Sequence, residues 1–69
     1  MTFKQWVLNR KGENSPIGDF ALDIYYDKEF PDSKNYSKIK TYLEESRASD
    51  IVLDIFENAW IEYAEEVNR

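Results

Sequence analysis

The chain has 69 residues, 16% of them aromatic, no Cys, no His and a formal net charge of −5. That length fits one domain over residues 1–69 and leaves little room for an enzyme pocket. Disulfide stapling, a thiol nucleophile and an imidazole acid or base are excluded, and the acidic balance disfavours a phosphate-backbone partner.

The first predicted helix runs from about Thr2 to Lys11. Thr2 is a plausible N-cap. Phe3, Trp6 and Val7 share a stripe, and Lys11-Gly12 supplies a cationic turn followed by a permissive residue. Arg10 lies at the end of that stripe. It reads either as a recognition arginine or as a paired group whose stem covers the core edge, with Asp27 or Glu66 as candidate partners. The paired reading is preferred.

The second helix begins at Ser15-Pro16, a capping residue followed by proline at the first helical position. Ile17, Phe20, Ala21, Ile24 and Tyr25 form one stripe. Leu22 and Tyr26 form a smaller apolar edge, so the helix is expected to be central, with neighbours on both sides. Asp19, Asp23 and Asp27 mark its solvated edge, and Gly18 is a mild cost in the first turn. Lys28 to Asn35 reads as a loop pinned by Phe30, which Pro31 biases away from helical angles.

The third helix is expected over about Tyr36 to Glu45, with Tyr36, Ile39 and Leu43 inward and Tyr42 beside them. After a break at Ser46 to Ser49, Ser49 or Asp50 caps a fourth helix reaching about Val67. Phe56, Ala59, Trp60, Tyr63 and Val67 line its inner stripe, extended by Val52 and Ile55. Trp60→Ala is expected to cost about 3–5 kcal/mol. A coiled-coil reading of this helix fails, because the heptad seam from Val52 meets Glu66 after barely two heptads.

The class is therefore all-α, a compact four- to five-helix bundle. The motifs Phe3-x-x-Trp6-Val7-Leu8-x-Arg10, Asp19-Phe20-Ala21, Tyr25-x-Asp27, Phe30-Pro31, Asn35-Tyr36-x-x-Ile39-x-x-Tyr42-Leu43-Glu44 and Phe56-x-x-Ala59-Trp60-x-x-Tyr63 occur in order along almost the whole chain. Together they resemble the YozE-like family of small bacterial proteins. The resemblance implies an arrangement similar to sterile alpha motif domains, and it implies no activity. Asp32 after Phe30-Pro31, Asn35 before Tyr36 and the segment Glu45 to Val52 depart from the family pattern.

No catalytic, cofactor-binding or metal-binding constellation emerges. The serines read as caps and turns. The carboxylates lack calcium-loop spacing, and Gly12 and Gly18 form no phosphate loop. Two surfaces remain. Residues 44–69 carry eight acids against Arg47 and Arg69. Within them Asp54, Glu57, Ile61 and Glu65 lie opposite the aromatic stripe and are the candidate contact for a basic protein partner. An exposed Ile also occurs commonly without any function. The alternative is a nucleic-acid surface from Lys34, Lys38, Lys40 and Tyr42, the one stretch combining lysines with candidate exposed aromatics. The expected role is a non-catalytic interaction module. The longest apolar runs are far too short to span a bilayer and no secretory signal pattern is present, so a cytoplasmic protein is expected.

Overall fold

A computed structural model of the protein describes residues 1–68. Among them are four helices: α1 Phe3–Leu8, α2 Pro16–Tyr26, α3 Tyr36–Glu45 and α4 Asp50–Val67. Each starts on a side chain that takes up an otherwise orphan backbone N–H. Thr2 accepts from the Gln5 N–H while the Gln5 side chain accepts from the Thr2 N–H, a complete capping box. Ser15 accepts from Gly18, Asn35 from Lys38 and Ser49 from Val52. Ser49, not Asp50, is thus the cap of α4.

The expected end of α1 at Lys11-Gly12 is corrected. The α-helix stops at Leu8, and the chain continues through tighter turns. The N–H groups of Arg10, Lys11 and Glu13 donate to the carbonyls of Val7, Leu8 and Arg10 at 2.9, 3.2 and 3.0 Å. Gly12 does not take a positive φ. The demanding glycine is Gly18, where an added Cβ would lie 1.9 Å from the Glu13 carbonyl oxygen. The chain entering α2 is folded directly over Gly18, which explains a glycine inside a first turn.

The α3–α4 turn closes as a Schellman motif. The Ala48 N–H donates to the Leu43 carbonyl and the Arg47 N–H to the Glu44 carbonyl, both at 3.1 Å. Arg47 holds the left-handed position, φ 60°, which favours glycine. The sequence carries no glycine there, so only the geometry reveals the motif.

The core is one aromatic cluster. Phe3, fully buried, lies at its centre with ring centroids of Phe56, Trp60, Tyr63 and Trp6 at 5.4, 5.4, 5.5 and 5.9 Å. Val7, Phe20, Ala21, Ile24, Ile39, Leu43 and Ala59 complete it. Phe30 is buried as expected and meets the Tyr42 ring edge-on at 5.6 Å. A radius of gyration of 11.0 Å is what about 69 close-packed residues give.

Four sequence expectations about burial are corrected. Trp60 is half-buried, packed on the cluster but open on one side. Tyr25 and Val67, placed on inner stripes, are 53% and 47% exposed. Leu22 and Tyr26 have no neighbour helix among the described residues and are 40% and 74% exposed. For the α2 residues the reason is geometric: α2 packs on α1 and α4, and α3 packs on α4. Among the described residues no further element covers the outer side of α2.

Candidate interaction surfaces

Polar side chains at the seams between helices are largely engaged with one another. Trp6 donates its indole N–H to Glu66, joining α1 to the end of α4. Tyr63 donates its hydroxyl to the Met1 carbonyl at 2.6 Å, and Thr2 donates its hydroxyl to Asp32. The two ends of the chain are therefore tied together, by the Trp6–Glu66 indole–carboxylate bond and the Tyr63–Met1 bond. Arg10 is paired, but with Glu62 at 3.6 Å and Glu13 at 3.8 Å rather than with Asp27 or Glu66. Its guanidinium also lies over the Trp6 ring, 4.9 Å from the centroid. A cleft of about 690 Å³ opens here, lined by Trp6, Arg10, Glu13, Glu66 and Val67. Arg10 is paired with Glu13 and Glu66 accepts from the Trp6 indole, so the cleft reads as a seam between the chain ends.

The two surfaces expected from the sequence are connected through Glu57. This residue is half-buried on the α3-facing side of α4. Its carboxylate accepts from the Tyr36 hydroxyl at 2.5 and 2.7 Å and pairs with the Lys40 ammonium at 3.3 Å. Hydrogen bonding to Glu57 and then burial push the Tyr36 hydroxyl above its ordinary value. Hydrogen bonds to Tyr36 and then Glu57 hold the Lys40 ammonium above its own. Glu57 and Lys40 are thus joined to each other across the α3–α4 seam.

Tyr42 is half-buried, with its ring on Phe30 and its hydroxyl donated to Asp27. That bond, followed by burial, raises its pKa. Lys34 and Lys38 remain exposed. Of the lysine-bearing stretch, then, Lys40 and Tyr42 serve the fold, and Lys34 and Lys38 face solvent.

On α4, Asp54, Ile61 and Glu65 are exposed, Ile61 at 56%. Ile51, which the sequence reading passed over, is 73% exposed. Ile51, Asp54, Asn58, Ile61 and Glu65 follow one another at offsets of three and four, so they form a continuous outward stripe. The two isoleucines are about 15 Å apart along the axis. The same offset count applied to the polar side of α4 would have found Ile51.

The described residues include no helix long and apolar enough to cross a membrane and no group of three or more metal-ligating side chains. Comparison with known proteins identifies relatives through the whole length of this architecture. A UPF0346 protein of Oenococcus oeni is 36% identical over 61 residues, covering 84% of this chain and 80% of the relative. A UPF0346 protein of Limosilactobacillus reuteri is 31% identical over 71 residues, covering 99% and 97%. One from Ligilactobacillus salivarius is 31% identical over 67 residues, covering 93% and 89%. No solved structure gives a significant match. The family model described as the YozE SAM-like fold matches residues 2–65, all four helices but for the last turn of α4. With that match and these relatives, the chain belongs to the YozE SAM-like family.

Proposed function

We propose that this domain is a non-catalytic protein-interaction module that docks a basic protein partner on the outer stripe of α4. The observation that carries the reading is the pair Ile51 and Ile61, 73% and 56% exposed on one helix face, with Asp54 between them and Glu65 beyond. Large aliphatic anchors within an acidic border suit a partner helix or strand presenting apolar residues among Lys and Arg. Glu57 borders this stripe, with its carboxylate engaged by Tyr36 and Lys40 at the α3 seam. Fold alone assigns no activity, and this surface supplies the chemistry that a partner would recognise. The nucleic-acid reading has less support, because Lys40 and Tyr42 are engaged within the fold and the net charge is −5.

Affinity capture from the source cytoplasm, run in parallel with an Ile61→Lys/Glu65→Lys variant, tests the reading. A specific basic partner held by the parent chain and lost by the variant supports it. Retention of every specific partner by the variant removes the α4 surface. Salt-sensitive retention on DNA or RNA at about 50 mM salt, lost on Lys34→Glu/Lys38→Glu, would replace it with the nucleic-acid reading.

A further inference from the structure

The outer side of α2 is a second uncovered surface with a distinct chemistry. Leu22, Tyr25 and Tyr26 are 40%, 53% and 74% exposed. The two tyrosine rings stand nearly perpendicular, 77° apart with centroids at 5.1 Å, and so form two walls of a corner. One wall already holds a cation: the Lys11 ammonium lies 3.7 Å from the Tyr25 centroid. Among the described residues no cation lies over Tyr26. Asp23 is three residues before Tyr26, and Asp19 four before Asp23, so the carboxylates run down the same side of the helix as that open ring. Both are exposed, and among the described residues neither is in an ion pair. Like charges four apart repel, and a bound cation relieves that repulsion.

We propose that the outer face of α2 binds a cationic segment of a partner protein, with a guanidinium stacked over Tyr26 and charge-paired to Asp23. Leu22, one turn before Tyr26, covers the aliphatic stem of the incoming arginine. Arginine is preferred to lysine because its flat, weakly hydrated cation stacks on a ring while its N–H groups reach a carboxylate. The occupant follows from charge and from the Lys11–Tyr25 contact, which shows the same chemistry within the chain. The surface is separate from the α4 stripe and does not depend on it.

The test uses the full chain, isotope-labelled for amide spectra, titrated with a short synthetic peptide rich in Arg and Leu at about 150 mM salt. Amide shifts centred on α2 and Lys11 are expected, with weaker binding by the Lys version of the peptide. Tyr26→Leu combined with Asp23→Asn keeps apolar area and fold, since both sites are exposed, and lowers affinity at least about tenfold. In the Ile61→Lys variant the peptide-induced shifts at α2 and Lys11 persist, whatever happens to any shifts on α4. The proposal is overturned by no binding at about 1 mM peptide, by undiminished affinity in the α2 variant, or by shifts spread over all carboxylates. If the peptide maps to α4 and Ile61→Lys abolishes binding, this proposal fails while the α4 reading survives.

Discussion

Helices α2 and α4 are built to the same plan and end in different surroundings. Both begin on a serine cap, both bury an apolar stripe, and both leave large apolar residues outward. Yet α4 lies against the three other helices, and α2 against two. The inner faces obey the periodicity of the sequence. The outer faces differ: Leu22, Tyr25 and Tyr26 extend an apolar arc that no helix among the described residues covers, while Ile51 and Ile61 interrupt an acidic one. On α2 the candidate contact is an apolar arc wider than its packing partners, and on α4 it is a pair of isoleucines within an acidic stripe.

This contrast between inner and outer faces is open to direct attack. The largest effect is expected from Phe56→Ala, which removes a fully buried ring beside Phe3 and Tyr36 and should cost about 3–5 kcal/mol in denaturant unfolding. Trp60→Ala should cost less, about 2 kcal/mol, because a half-buried ring removes less apolar area from water. Equal losses for the two would erase the distinction between them.

Gly18→Ala is expected to destabilise by about 1–3 kcal/mol, since the new methyl meets backbone and not a yielding side chain. In an ordinary exposed helix the same change stabilises, so a raised melting temperature would contradict the fold of the Glu13 turn over α2. In the opposite direction, Arg47→Gly should stabilise by about 0.5–1 kcal/mol, because glycine takes the left-handed angle without a Cβ penalty. A lower denaturant midpoint for that variant would argue against the Schellman turn that sets the start of α4.

A pH-confined effect comes from the tyrosines turned inward. Tyr36 and Tyr42 are raised by hydrogen bonds to Glu57 and Asp27, and Tyr63 by burial. A raised folded pKa means that the native state holds the phenolic proton more tightly than the unfolded chain does. This stabilisation is complete below about pH 10, the unfolded value, and is lost as pH rises through the folded values. Lys40, also raised, acts with the same sign. Urea midpoints should be level from about pH 8 to 10 and fall above that. Tyr63→Phe should flatten the fall, and a midpoint rising through that window would refute the assignment. The smallest effects belong to the outer faces. Ile61→Ser and Tyr26→Ser should each change stability by no more than about 0.5 kcal/mol, and a larger loss would mean that those residues pack within the domain.

Much of the architecture was legible in order along the chain. Ser15-Pro16 and Ser49 marked helix starts by chemistry that acts over three residues, and the Phe56–Tyr63 spacing marked an inner face by a period intrinsic to the helix. The candidate surfaces were legible in part. Ile61 and its acids could be placed outward, whereas Glu57, Lys40 and Tyr42 looked equally free and are not. Their partners, Tyr36 and Asp27, come from other elements, and sequence spacing carries no record of such pairings.

The sequence by itself therefore determined the four helical segments, the caps of α1 and α2 and most of the aromatic core, because these depend on local geometry and on the apolar period. Tertiary structure decided how wide an arc of each helix is covered. It decided that Gly18 makes room for Glu13, that Arg47 takes a glycine's angle, and which charged groups are engaged at a helix seam. Those outcomes depend on how the helices cross and where each turn sends the chain, and these are set only when the whole core packs at once.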